Sequence, residues 1–218
     1  MIIVFEGLNN CGKSTQIDSL KNDILLNSNY NCIFTSWNSY PDTHAFIEDQ
    51  KLKDNFSPRT YSLAHALDFT YRYEDIIKNL KTKLDLAFFD RYYFTSFVRD
   101  NLRGIPLESL YNLYSFARIP DLIFYFDIEP ETVWERAKGN VYDRSKYILG
   151  EDISYSNDKY MNYYKYLSEQ RRLYLKVLSK EEYSSKTILI NAKNSKESIN
   201  QEIKYHIQNK LRMGGKND

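Results

Sequence analysis

The chain begins with an apolar run, Met1-Ile2-Ile3-Val4-Phe5, that leads through Glu6 into Gly7-Leu8-Asn9-Asn10-Cys11-Gly12-Lys13-Ser14-Thr15. A Gly-x4-Gly-Lys-Ser spacing straight after a short apolar strand constrains the fold more than any other feature. It requires a buried strand, a glycine-bearing turn and a helix opening at Lys13. Successive backbone N–H groups then face one concavity, and the helix N-terminus adds positive potential for phosphate. In such a loop Lys13 reaches the outer phosphates and Ser14 offers its hydroxyl to Mg²⁺. Gly7, Asn10, Cys11, Gly12, Lys13, Ser14 and Thr15 are therefore the expected lining of a nucleotide triphosphate, with ATP and Mg²⁺ as cofactors.

The 218 residues suffice for one α/β domain with a sizeable core. A formal net charge of +1, with acids and bases interspersed, gives no single-sign field to recruit nucleic acid or an anionic membrane. Two cysteines, Cys11 and Cys32, are too few for a disulfide framework, and bridging Cys11 would distort the phosphate loop. Reduced thiols and a cytoplasmic setting follow as expectations. The first residues show no charged leader, and no run approaches the roughly 18–20 apolar residues of a spanning helix.

Five short apolar runs, Ile2–Phe5, Cys32–Ser36, Leu84–Phe89, Leu122–Phe126 and Thr187–Ile190, alternate with longer helical patterns. Such alternation predicts a parallel sheet with crossover helices, and runs lacking alternation suit strands buried on both faces. Helices are expected over Lys13–Leu26, Ser57–Lys81, Thr95–Leu102, Leu107–Phe116, Pro130–Lys138, Asp158–Leu178 and Ser195–Leu211. The polar segment 139–153 interrupts the helical pattern and is the candidate lid of a single domain. Ligands of open α/β sheets sit beyond the carboxyl ends of the strands. That gathers Ser36–Thr43, Asp90-Arg91, Asp127 and Asn191-Ala192-Lys193 around the phosphate loop.

Asp90 at a strand end suits a magnesium-holding carboxylate, or an acceptor of a substrate hydroxyl proton. Arg91 offers a fork of donors to phosphate oxygens. The phosphate loop itself has no basic residue between Gly7 and Gly12, so further neutralisation of transferred charge must come from elsewhere. Arg144 in the candidate lid is the first choice, with Arg136 and Lys138 next. On the long helix, Asp68 and Arg72 read either as an i,i+4 ion pair or, with Phe69 or Tyr73, as a wall against a planar base. Arg99 and Asp100 either face the acceptor or tether their helix.

The order of these motifs resembles the thymidylate kinase family of nucleoside monophosphate kinases. Phe5-Glu6-Gly7 through Gly12-Lys13-Ser14-Thr15-Gln16 matches the family's opening, and Asp90-Arg91-Tyr92 with Thr95-Ser96 matches its second signature. Pro120-Asp121-Leu122, Asp127-Ile128-Glu129-Pro130-Glu131, the lid pair Asp143-Arg144 and Ile190-Asn191-Ala192 follow in family order. The resemblance implies a three-layer P-loop fold, a five-stranded parallel sheet with helices on both faces and a lid. It also implies γ-phosphoryl transfer from ATP to a deoxynucleoside monophosphate, thymidylate first, and a homodimer. Arg136 and Ala192 then fall on the donor side, and Asn9, Trp37, Phe69, Arg72, Arg91, Tyr92, Arg99 and Asp100 on the acceptor side.

The departures cluster on the acceptor side. The family's acidic phosphate-loop residue is Asn9 here, and Ser36–His44 contains no arginine for the acceptor phosphate. The family's base-reading arginine aligns with Phe69, one turn before Arg72, and its following amide aligns near Asp100. A nucleoside or modified-nucleotide kinase therefore stays open beside thymidylate. So does a nucleotide-gated interaction protein, although the guanine-reading Asn-Lys-x-Asp of GTP switches is missing from the sequence.

Overall fold

A computed structural model describes residues 1–22, 30–82, 84–137 and 145–214. Five strands, β1 (Ile2–Gly7), β2 (Asn31–Ser36), β3 (Asp85–Asp90), β4 (Leu122–Asp127) and β5 (Thr187–Asn191), form one parallel sheet in the order β2-β3-β1-β4-β5. The central β1 is buried at every position, and β3 and β4 at all but the last. The edge strands β2 and β5 are only partly covered. This is the burial gradient that β-branched and aromatic runs without alternation require of a sheet covered on both faces.

Period-two alternation divides β1 between two cores. Ile3 and Phe5 join Phe88, Phe124 and Phe126 under α1 (Lys13–Lys21) and α10 (Lys196–Gly214). Ile2 and Val4 join Ala87, Phe89 and Tyr125 under α3 (Pro58–Asn79) and α4 (Tyr93–Leu102). Between these lie α2 (Pro41–Leu52), α5 (Leu107–Leu113), α6 (Pro130–Ala137), α7 (Lys146–Leu149), α8 (Lys159–Leu178) and α9 (Glu181–Ser184). The long α8 serves both cores, Tyr163 and Leu167 in one and Tyr174 and Val177 in the other. Among the described residues no helix is long and apolar enough to cross a membrane.

The expected strands agree with those observed to within one or two residues at each end. The first helix is described only to Lys21, and residues 23–26 of the expected span lie outside the described residues. The helix α2 was not expected, because it buries only Thr43 and Ile47 and so carries no apolar stripe. Pro41 sits in its first turn, and the buried Asp68 carboxylate accepts from Tyr40 N at 2.9 Å and from Thr43 Oγ1 at 2.9 Å. A tertiary contact therefore starts this helix, and local sequence could not reveal it.

Sheet register brings the site together. Asp90 lies level with Phe5 on one side and Ser36 on the other, while Gly7 lies level with Phe126. β1 connects to β2 on one side of the sheet and its neighbour β4 connects to β5 on the other, so their carboxyl ends flank the point at which such folds bind ligand.

Candidate functional site

The turn after β1 needs a glycine at position 7. Its φ is +144°, and a Cβ there would meet the Phe126 carbonyl oxygen at 2.8 Å and Cys11 Sγ at 3.0 Å. Only a residue without a side chain lets the loop fold back between β1 and β4. The Lys13 ammonium is buried and curls onto the loop, donating to Leu8 O at 2.8 Å, to Gly7 O at 3.3 Å and to Cys11 Sγ at 3.3 Å. Burial, and then the nearby Arg91 charge, lower its pKa from the ordinary lysine value. These carbonyls preorganise the cation at the mouth of the concavity that the loop encloses.

Ser14, exposed at the start of α1, donates from Oγ to Asp90 Oδ2 at 3.0 Å. Two hard oxygen donors thus converge beside the phosphate loop from α1 and β3. Among the described residues no cluster of three His, Cys, Asp or Glu could hold a metal by itself. Such a sparse oxygen pair fits Mg²⁺, which keeps several waters and takes phosphate oxygens from its substrate.

Arg91, directly after β3, adopts a left-handed backbone with φ of +74°, uncommon outside glycine, and its N–H donates to Phe5 O at 3.0 Å. Its guanidinium Nη1 donates to Gly7 O at 2.8 Å, to Tyr174 Oη at 3.2 Å and to Thr95 Oγ1 at 3.3 Å, while Nη2 donates to Asn9 Oδ1 at 2.9 Å. Beneath it the fully buried Glu6 carboxylate accepts from Tyr92 N at 2.8 Å, Thr95 Oγ1 at 2.9 Å and Tyr174 Oη at 2.9 Å, 3.7 Å from Arg91. Burial raises the Glu6 carboxyl above the usual range, against the opposing pull of Arg91 and the donated hydrogen bonds. Glu6, Thr95 and Tyr174 were not among the expected site residues. The available signal was Glu6 itself, a carboxylate inside an otherwise apolar strand.

On the acceptor side, Arg72 Nε donates to Asp68 Oδ2 at 2.7 Å with both side chains buried, so the i,i+4 ion pair is formed. The Arg72 guanidinium lies 5.7 Å from the Trp37 ring, and His65 stacks on the same indole at 5.6 Å. Both His65 ring nitrogens are buried without a hydrogen-bond partner among the described residues. Burial, with Lys51, Arg99, Arg103 and Arg72 around it, pushes the imidazole well below its ordinary pKa. Beside this cluster a cleft of about 540 Å³ is lined by Ser14, Thr35, Tyr40, Arg72, Asp75 and Asp90.

Three expected acceptor-side residues turn inward, and here the sequence reading is corrected. Phe69 is fully buried, its ring enclosed by Tyr92 at 4.9 Å, Tyr114 at 5.3 Å and Tyr73 at 5.7 Å. It is a core residue with no face left for a base. Tyr92 is likewise buried and donates to Arg118 O at 3.0 Å, away from the cleft. Asp100 is buried against Ser96, and burial raises its carboxyl to about 6. Arg99, by contrast, reaches back to the phosphate loop, with Nη2 donating to Asn9 Oδ1 at 2.9 Å.

On the donor side, Arg136 leaves α6 to donate from Nη2 to Ala192 O at 2.8 Å and from Nη1 to Cys11 O at 3.4 Å. It ties the phosphate loop to the turn after β5, the rim on which the donor side was expected. Lys138, Asp143 and Arg144 lie outside the described residues. The later part of the expected lid is built into the body of the protein. Tyr147 and Leu149 are buried, Tyr147 stacks on Tyr61 at 5.2 Å, and Arg103 grips Asp152 from Nε at 2.6 Å and Nη2 at 3.1 Å.

A probable thymidylate kinase 2 of Saccharolobus solfataricus is 36% identical over 138 residues, covering 63% of this chain and 64% of that protein. A probable thymidylate kinase of Methanococcus aeolicus is 30% identical over 162 residues, 73% of this chain and 77% of the other. A thymidylate kinase of Tropheryma whipplei is 26% identical over 97% of each chain. The match thus spans a little under two thirds of the Saccharolobus relative. The family model described as thymidylate kinase matches residues 5–203, from the strand before the phosphate loop into the last helix, and the chain belongs to the thymidylate kinase family.

Proposed function

We propose that this chain transfers the γ-phosphoryl group of ATP to a nucleoside 5′-monophosphate, with thymidine 5′-monophosphate as the leading acceptor. The observation that carries the reading is the meeting of Ser14 and Asp90 beside a loop whose Asn9 is gripped by Arg91. The adjacent residues Asp90 and Arg91 thereby set a donor-side and an acceptor-side contact next to each other at the end of β3. The names of the relatives support the same acceptor class.

The reaction has a loose transition state in which charge spreads over the transferred oxygens, so the protein's task is to position and neutralise. Mg·ATP, when bound, supplies the reactive phosphoryl group with part of its charge already neutralised. Loop N–H groups hold the phosphates, and Lys13 turns from the Gly7 and Leu8 carbonyls toward the outer phosphate. Ser14 and Asp90 are the residues that would hold Mg²⁺, whose charge would offset that of the phosphates. Arg91, fixed by Gly7 O, Thr95 and Tyr174, orients the acceptor and balances charge on its side. Arg144 remains the proposed further cation. Cys11 and Cys32 form no disulfide among the described residues, which fits a reducing compartment.

A second reading, a nucleoside or modified-nucleotide kinase, draws on the absence of arginine from Ser36–His44. The test is Mg·ATP with a panel of ribo- and deoxynucleoside monophosphates and their parent nucleosides, with products identified by mass. Diphosphate formation, fastest with thymidine 5′-monophosphate, is expected. Phosphorylation of nucleosides alone supports the second reading, and acceptor-independent hydrolysis sinks both in favour of a nucleotide-gated switch.

A further inference from the structure

The buried arginines of this protein meet their carboxylates in two ways. Arg72 touches Asp68 at 2.7 Å and Arg103 touches Asp152 at 2.6 Å, each by a direct hydrogen bond. Arg91 and the fully buried Glu6 stand 3.7 Å apart, and two hydroxyls bridge them. Thr95 comes from α4 and Tyr174 from α8, and each hydroxyl touches both partners. Glu6 shares the parity of Ile2 and Val4 in β1, so its carboxylate enters the apolar core on that face. A carboxylate there is costly to bury and adds little to stability even when paired. Its effect is on the direction of the bonds around Arg91.

Those directions follow from a count of hydrogens. Each hydroxyl has one hydrogen and spare lone pairs, whereas an ionised carboxylate only accepts. Thr95 and Tyr174 both give that hydrogen to Glu6 Oε2, at 2.9 Å each. Their oxygens lie 3.1 Å apart and are then left only to accept, and Arg91 Nη1 donates to them at 3.3 and 3.2 Å. Nη1 also donates to Gly7 O at 2.8 Å. Glu6 thus turns two groups able to donate into a pair of acceptors facing Arg91. Acting through them, it takes up no hydrogen of the guanidinium itself. Nη2 gives one hydrogen to Asn9, and those left on Nε and Nη2 have no acceptor among the described residues. A direct bidentate ion pair would have consumed that fork.

We propose that Glu6 is a positioning residue, which through the Thr95 and Tyr174 hydroxyls fixes the Arg91 guanidinium and leaves its fork open to the acceptor. This rests on the reading above that Arg91 orients the acceptor. Glu6→Gln isolates the effect, because it keeps the size of the side chain and changes the direction of its bonds. Tyr92 N donates to Oε1 at 2.8 Å and holds the amide oxygen at that place. The amide nitrogen then faces the two hydroxyls and donates to them. Their own hydrogens turn toward Arg91, where donor meets donor.

Side-chain NMR of protein carrying nitrogen-labelled arginine reads the fixation without any ligand. A guanidinium held at both Nη atoms should rotate slowly and give separate Nη signals, assigned to Arg91 by their loss in Arg91→Ala. Glu6→Gln should merge them, and so should the double variant Thr95→Val with Tyr174→Phe. Thr95→Ser, which keeps the hydroxyl, should leave them separate. With thymidine 5′-monophosphate and Mg·ATP, Glu6→Gln should lower kcat/KM by about 10²-fold, the scale of a misplaced reacting group. In an Arg91→Ala background the same substitution should change nothing further, because its whole effect passes through that side chain. Merged Arg91 signals in the wild type, separate ones in Glu6→Gln, or an equal loss in the Arg91→Ala background overturn the proposal. A thermal transition checks that each variant is folded, and if Glu6→Gln is not, the double variant against Thr95→Ser decides. A wild type whose signals merge in Glu6→Gln but which transfers no phosphoryl group sinks the kinase reading and leaves the fixation of Arg91 standing.

Discussion

Removing the Asp68 carboxylate tests whether the acceptor side is organised as the geometry implies. Asp68 Oδ2 accepts from Arg72 Nε at 2.7 Å, and Oδ1 accepts from Tyr40 N at 2.9 Å and Thr43 Oγ1 at 2.9 Å, with the carboxylate itself buried. In Asp68→Ala, Arg72 stays buried with only a long contact to Thr35 Oγ1 at 3.4 Å and the ring faces of Trp37 and Phe69. Breaking such a pair from one side costs about 3–5 kcal/mol, most of it the stranded charge. Losing the contact that starts α2 adds about 1 kcal/mol. For a chain of this length each kcal/mol lowers the thermal midpoint by roughly 2–4 °C, so the total of about 4–6 kcal/mol implies a fall of about 8–24 °C. The double variant Asp68→Leu with Arg72→Met removes both charges and should recover most of that loss. Urea unfolding of the two singles and the double completes the cycle. A loss below about 1 kcal/mol for Asp68→Ala, or a double variant no better than the worse single, would refute this reasoning.

Lys13→Ala should lower turnover by at least about 10²-fold while leaving the thermal midpoint nearly unchanged, because its buried ammonium bonds to loop carbonyls and forms no ion pair among the described residues. Asp100 carries a pH signature. Burial lifts its carboxyl from 3.8 to about 6, so between those values the native state binds more protons than the unfolded chain, and stability falls as pH rises. Asp100→Asn lacks that loss. Its stability advantage over wild type should grow between about pH 4 and 6, reach on the order of 2–3 kcal/mol, and stay flat above, read by urea unfolding. Gly150, with φ of +70°, packs directly on the Tyr166 ring. Gly150→Ala should cost at least about 2 kcal/mol, combining left-handed strain and overlap, and thermal melting measures it.

The parts of this molecule legible in the sequence are those whose signal is local. The β1 run, the glycine spacing and Lys13-Ser14 specify a strand, a turn and a helix within fifteen residues, and the other strands declare themselves by unbroken apolar runs. Asp90 and Arg91 were legible because a strand end in this topology faces the cleft. What stayed hidden depends on the third dimension. Phe69 and Tyr92 have the residue type of a base-stacking wall, but the type does not say that both rings point into the aromatic core. The start of α2 hangs on Asp68, twenty-eight residues from Tyr40. Asn9 and Arg99 are ninety residues apart, and neither residue alone announces the other.

The central claim is that the loop from Gly7 to Ser14 presents a triphosphate to an acceptor held by Arg91, and it is tested most directly by following the phosphoryl group itself. A single turnover with ATP carrying heavy oxygen in its γ-phosphoryl, with thymidine 5′-monophosphate and Mg²⁺, should place the label in thymidine diphosphate, and Lys13→Ala should abolish that transfer. Label found only in inorganic phosphate, at a rate indifferent to the acceptor, would contradict the account.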